Sequence, residues 1–324
     1  MAAYIGRRLL QAIPLLVLIS LVVFVLLHLI PGGPMAAYGN NPNMTAADFA
    51  RLEHDLGLDA PIHVQYLRWL GALLRGDWGY SLASKRPVLV EIGDRLPNTL
   101  YLLSISLAVT LGIAIPIGIL SAVRQYSVLD HAVTTVAFAG QSVPIFWFGL
   151  MLIIVFHVVL RNPVSGAPLA PGGGMYTLGE PFSILDRLHH LILPVSMLAV
   201  VGTATYTRYM RASMLEVIGQ DYIRTAHAKG APVRRVLWHH AFRNAAIPVV
   251  TILALEVPVL FNGAVFTETI FSWPGMGRLF IESAFRYDYA LLMAIILIGA
   301  TLTIVSNLVA DIAYAYLDPR IHYG

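Results

Sequence analysis

The chain has 324 residues, of which 57% are hydrophobic and only 12% charged, with a mean hydropathy of +0.72. A water-soluble domain carries about a quarter charged residues, so this composition excludes one and indicates an integral membrane protein. The net charge of +3 is too small to suggest a nucleic-acid partner, and the absence of cysteine excludes thiolate metal sites, a redox pair and a disulfide framework.

Residues 9–30 are free of Asp, Glu, Lys and Arg and follow Arg7 and Arg8. That stretch is long enough to cross roughly 30 Å of hydrocarbon and too long for the core of a signal peptide. The cluster Pro31, Gly32, Gly33, Pro34 ends it, so an uncleaved first span is expected. Residues 31–97 form a polar insertion. Thr45 with Asp48 reads as a helix start resembling a capping box, with a stop at Gly57. Pro61 opens a second amphipathic piece, whose Val64, Leu67, Leu70, Leu73 and Leu74 lie at helical spacing and predict the core of a miniature domain on the membrane face.

Further spans are expected at 99–123, 131–160, 188–207 and 289–310, with a sixth at 244–267 if Glu256 is tolerated at its middle. In the first of these, Ser104, Ala108 and Gly112 make a small-residue seam for a neighbouring helix. The 30 residues of 131–160 are expected to tilt, to bend near Pro144, or to extend past the lipid. With six spans both termini lie on one side. Placed in the cytoplasm, that side holds Arg7, Arg8, Arg124, Arg208, Arg211, Arg224, Lys229, Arg234, Arg235, Arg243 and Arg320, whereas the opposite short loops hold only Arg161, Arg187, Arg278 and Arg286. This satisfies the positive-inside rule.

Between two apolar runs lies a basic, helix-forming stretch, residues 214–248, which must stand in water beside the membrane. Asp221 reads as the N-cap of a short helix over 221–229. Gly230 reads as its C-terminal cap, and Pro232 prevents continuation. A second helix over about 233–246 leads to Pro248 and the next span. Thr225, Ala226 and Ala228 are small enough to let the short helix sit close inside a groove on another protein.

This stretch resembles the cytoplasmic coupling loop of ABC importer permeases, in the form found in dipeptide and oligopeptide B-type subunits. The general pattern is Glu-Ala-Ala, three residues, Gly, then Ile-x-Leu-Pro. Here Arg224, Thr225 and Ala226 are followed by Gly230 and then by Ala246, Ile247 and Pro248. The Arg-Thr substitution and the longer spacing to proline resemble the peptide-type branch. Residues 263–279 (GAVFTETIFSWPGMGRL), the tail DPRIHYG and the opening RRLLQAIP are similar to the same family, so the resemblance runs from residue 4 to the end and is weakest at 161–187.

The resemblance implies an all-α, six-helix permease of the type I ABC importer fold in the plasma (inner) membrane. Its parts would be a cytoplasmic N-terminus and first helix (1–30), an extracytoplasmic helical insertion (31–97), a five-helix permease core (98–315) and a cytoplasmic tail (316–324). Its implied function is translocation of dipeptides or oligopeptides, with nickel, glutathione or oligosaccharides as alternative substrates. The implied partners are a second homologous permease, two ATP-binding subunits and an extracytoplasmic peptide-binding protein. Coupling to the ATPase would fall to Asp221, Tyr222, Arg224, Thr225, Ala226, Lys229 and Gly230. Glu256 is the candidate for the translocation path, because an intramembrane carboxylate is costly unless it faces the bundle interior.

No enzymatic site is expected on the chain itself. Its only lysines, Lys85 and Lys229, are not followed by Ser or Thr, so no phosphate-binding Gly-x-x-x-x-Gly-Lys-Ser/Thr loop exists. ATP and its magnesium would be bound by partners, and no cofactor is expected here. The histidine pairs 189/190 and 239/240 are adjacent, which points their rings about 100 degrees apart on a helix and disfavours a metal site. Trp147, Trp238 and Trp273 read as interface anchors or packing residues. A secondary transporter, the competing class, would need several intramembrane polar groups or paired broken helices.

Overall fold

A computed structural model describes residues 2–36, 38, 44–262 and 264–317. The protein is all-α, and among the described residues only two isolated β-bridges occur, Tyr80 with Pro87 and Arg161 with Pro168. Among the described residues four helical segments are long and apolar enough to cross a membrane: Gly6–His28, Val88–Val123, Ile184–Ile218 and Tyr289–Val309. A fifth crossing arises if Val128–Ser142 and Ile145–Val159 make one span, and these two are bent by 97°. The break follows from Pro144. Its ring drives Val143 out of the helical region, to ψ 127, so one helix ends at Ser142 and the next begins at Ile145.

The chain divides into two compact units, residues 1–97 with 275–324, and residues 98–274. The first contains helices α1 (Ala2–His28), α2 (Ala46–Asp55) and α3 (Ile62–Leu74), and the opening turns of α4 (Val88–Val123). Here α2 has the expected start: Asp48 N–H donates to Thr45 Oγ1 at 3.2 Å, and Thr45 N–H donates to Asp48 Oδ2 at 3.0 Å. Gly57 follows with φ +66. The apolar stripe on α3 is only partly the expected one, with Val64, Leu70 and Leu73 partly buried. Leu67 and Leu74 are 62% and 79% exposed, and the packing face is Tyr66 with Trp69 and Leu70.

Tyr66 joins Phe24 of α1 and a methionine near the chain's end, Met293, and shares a 2.8 Å hydrogen bond with Ser20. The rings bury more apolar area than the leucines would, and they tie the insertion to the spans themselves.

The second unit holds the rest of α4, then α5 (Val128–Ser142), α6 (Ile145–Ile153) with a π-helical extension over Ile154–Val159, and α7 (Ile184–Ile218). It continues with α8 (Asp221–Ala228), α9 (Val233–Arg235) with a π-helical stretch over Val236–Ala241, α10 (Phe242–Asn262) and α11 (Val265–Ile270). The stretch expected to span at 244–267 is divided between α10, which ends at Asn262, and α11, which begins at Val265, and it is not among the four or five apolar crossings above. Ser104, Ala108 and Gly112 are exposed in this chain, and nothing lies within 4 Å of a Cβ added to Gly112. The close approaches are elsewhere. A Cβ at Gly118 would meet Met210 at 2.7 Å, and one at Gly202 would meet Thr110 at 2.8 Å.

The first unit is completed by α12 (Met276–Phe285) and α13 (Tyr289–Leu317), which pack on the opening turns of α4 through Val88, Ile92, Met276, Leu279, Leu291 and Ile295. Asp288, fully buried, caps α13. Its carboxylate accepts from Ser81 Oγ at 2.5 Å, from Ala83 N–H and from Leu291 N–H.

At one end of the second unit, three histidines hold the Gly- and Pro-rich loop over 161–183. The contacts are His157 Nδ1 to Ala170 O at 3.0 Å, His189 Nε2 to Leu169 O at 2.9 Å and His190 Nδ1 to Gly173 O at 3.1 Å. At the same end Trp273 is fully buried and donates from Nε1 to Asn98 O at 2.9 Å. The basic stretch lies at the other end.

Candidate coupling site

The site is built where α7 leaves the apolar region and the chain turns back. Gln220 is extended (ψ 149), and its carbonyl accepts from Ile223 and Arg224, so Gln220 is the N-cap and Asp221 the first helical residue. This corrects the assignment of Asp221 as the cap. Its carboxylate acts through the helix dipole at the N-terminus and lies 3.5 Å from the Arg224 guanidinium, both groups being largely in solvent. Such an exposed pair contributes little.

The other end of α8 is as the sequence indicates. Gly230 has φ +75. Gly230 N–H donates to His227 O at 2.9 Å and Ala231 N–H to Ala226 O at 3.2 Å, which together form the two-bond Schellman closure. Pro232, the next N-cap, then redirects the chain. The expected second helix is a single turn, α9, followed by π-helical turns, and Pro248 lies inside α10 rather than at its start.

An eight-residue helix cannot hold itself together in water. What holds α8 is its inner face: Ile223 is 2% exposed, and Ala226, one turn on, packs beside it. They join a core formed by Ala114, Ile119 and Ala122 of α4, Tyr206, Met210 and Met214 of α7, Val236 and Ala241 of the π-helical stretch, and Ala245 and Val249 of α10. Fully burying an isoleucine side chain contributes on the order of 1.5–3 kcal/mol. A polar tether adds to this, as Asn244 Nδ2 on α10 donates to Tyr222 Oη at 2.9 Å.

The helix therefore has two faces with different work. Tyr222, Arg224, Thr225, Ala228, Lys229 and Gly230 are exposed, and Asp221 stands with them. Of the residues singled out in the sequence, Ala226 alone turns inward. Glu256 lies on α10, and its side chain falls outside the described residues.

Besides Glu91, buried and paired with Arg86 at 3.2 Å, three buried carboxylates were not singled out in the sequence. Glu268 is fully buried and accepts from Thr99 Oγ1 at 2.7 Å. Asp288 is the cap described above. Asp130 is held by Arg211 through two bonds, Nε to Oδ1 at 2.6 Å and Nη2 to Oδ2 at 2.7 Å. All three sit near the ends of apolar runs, where a charge in the sequence reads as merely solvated.

The chain matches the family described as binding-protein-dependent transport system inner membrane component over residues 114–323, and its N-terminal counterpart over residues 1–103. It is 48% identical to the oligopeptide transport system permease protein AppB of Bacillus subtilis, over the whole of both chains. It is 39% identical to the dipeptide transport system permease protein DppB of Escherichia coli K12, covering all of this chain and 99% of that one. Among solved structures, a chain of the MetNI methionine ABC transporter in an inward-facing conformation matches with a TM-score of 0.54 at 14% identity. That match covers 72% of this chain and 98% of the other.

Proposed function

We propose that this chain, which belongs to the family of binding-protein-dependent transport system inner membrane components, is the permease subunit of an ATP-binding-cassette importer that carries oligopeptides or dipeptides across the plasma membrane. The names of its full-length relatives support the substrate class. The single observation that carries the mechanism is the seating of α8. Its inner face is fixed to α4, α7 and α10 through one core, while its outer face, with Arg224, Thr225 and Lys229, is left to a partner.

The partners are two ATP-binding subunits, a second homologous permease and an extracytoplasmic peptide-binding protein. Closure of the ATPase pair would draw the two α8 helices together. Because α8 is packed on the ends of three long helices, that displacement tilts the spans and opens the path toward the binding protein. Hydrolysis on the partner subunits reverses it. Both termini lie in the cytoplasm, on the side of the basic stretch.

The test is purification of the chain from cells that express all the partner subunits. An ATPase should be retained, and reporters placed after Gly324 and within 161–187 should register opposite sides of the membrane. No retained ATPase would favour the secondary-transporter reading, and reporters agreeing on one side would overturn the topology.

Glu256, on the C-terminal half of α10, is proposed to line the path. In this cysteine-free chain, Glu256→Cys should react with a small water-soluble thiol reagent when a nucleotide analogue holds the transporter outward-open. Protection in every nucleotide state would remove Glu256 from the path.

A further inference from the structure

The core that seats α8 does not by itself stop the ends of α4, α5 and α7 from sliding past one another, because apolar contacts are non-directional. The element that fixes them lies one turn before Met214 on α7. There the Asp130 carboxylate, 2% exposed, receives four donors. Arg211 of α7 supplies the bidentate pair, Ser121 Oγ near the end of α4 a third, and Tyr126 N–H of the α4–α5 turn a fourth at 3.0 Å. Ser121 is itself fully buried. Tyr126 adopts φ +63, a left-handed conformation unfavourable for a non-glycine residue, and its amide is thereby turned onto the carboxylate.

The direction of these bonds matters more than their strength. A forked guanidinium facing both oxygens of a carboxylate fixes relative orientation as well as distance. A buried pair of this kind is weak evidence for stability and better evidence for specifying one arrangement. The same α4 and α7 segments contribute Ile119, Ala122, Met210 and Met214 to the core around Ile223. Sliding at the joint would therefore be felt at α8.

From this we infer that Asp130, Arg211 and Ser121 are positioning residues for coupling: they lock the α4–α5 turn to the end of α7, so that displacement of α8 moves the three helix ends as one block. The inference rests on the coupling role proposed for α8. It predicts a defect in transport per ATP hydrolysed, with assembly and hydrolysis retained.

The experiment uses the complete importer in proteoliposomes with its binding protein and a peptide, measuring peptide uptake and ATP hydrolysis together. The double variant Asp130→Asn with Arg211→Leu removes both charges and leaves no unpaired ion. Its uptake per ATP should fall roughly fivefold or more, the range expected for loss of a coupling energy. Arg211→Lys keeps the charge but not the fork, and should fall by a smaller factor. If the double variant does not assemble, the lysine variant decides alone: a reduced ratio supports the joint and an unchanged ratio overturns it. An unchanged ratio in an assembled double variant overturns it as well. Failure of the unmodified chain to bind an ATPase or take up peptide would instead refute the coupling role itself, a result distinguishable from either.

Discussion

Asp130→Ala is expected to destabilise the protein by about 3–5 kcal/mol, the cost of leaving one partner of a buried pair without the other. Arg211, only 26% exposed at its side chain, would keep its charge with no carboxylate to receive it. Ser121 Oγ and Tyr126 N–H would also lose their acceptor. Asp130→Asn together with Arg211→Leu should cost much less, because nothing charged is then stranded. The measurement is the temperature at which the detergent-solubilised protein ceases to be monodisperse, compared across the single and double variants. A single variant as stable as the double would mean that Arg211 finds another partner when Asp130 is lost.

Ala228→Arg should leave α8 folded and abolish its engagement with the ATPase. Ala228 is exposed on the outer face. An arginine near the helix C-terminus suits the dipole, so the helix itself has no reason to unravel. A long cation on a face that must meet another surface closely should cost about 2 kcal/mol or more, roughly thirtyfold in affinity. The readout is ATPase retained on purification alongside the amount of chain in the membrane.

Ala226→Asp makes the opposing control. Ala226 packs on the chain's own core, so a carboxylate there should dislodge α8 from within and increase protease cleavage between 219 and 235. Gly230→Val should act in the same way, since a β-branched residue at φ +75 costs of the order of 1–2 kcal/mol. Equal ATPase retention by Ala228→Arg and the unmodified chain would remove α8 from the coupling interface.

What could be read in the sequence were the features whose cause is local. The Thr45 capping box, the Gly230 closure and the break at Pro144 are each decided by residues within a few positions of one another, whereas α4 begins at Val88 and α7 ends at Ile218, well past the expected spans. Ala226, expected on the docking face, instead turns inward, because it lies one turn from Ile223 on the same face of α8.

What could not be read depends on partners far along the chain. Asp130 and Arg211 are separated by 81 positions, and Ser81 and Asp288 by 207. Each charge lies at the mouth of a span, where hydropathy alone reads it as facing water. The loop over 161–183 was illegible for the same reason, as its order comes from histidines on α7 and on the π-helical extension of α6 rather than from its own glycines and prolines. On α3 the core is set by Tyr66 and Trp69 together with Leu70, so that Leu67 and Leu74 of the expected stripe stay exposed.

Helix α7 also sets a scale for movement. It is continuous from Ile184 to Ile218 and carries one proline, Pro194, within it. The 24 residues after the proline span about 36 Å at 1.5 Å per residue. If that length pivots near Pro194 by about 7 degrees, its far end sweeps roughly 4–5 Å, close to the rise of one helical turn. A nudge of one side-chain width at α8 thus corresponds to only a shallow tilt beside the proline, where side chains need slip by fractions of an ångström. Such a pivot would act as a reduction gear, turning a long stroke at the α8 end into a short, forceful one beside Pro194.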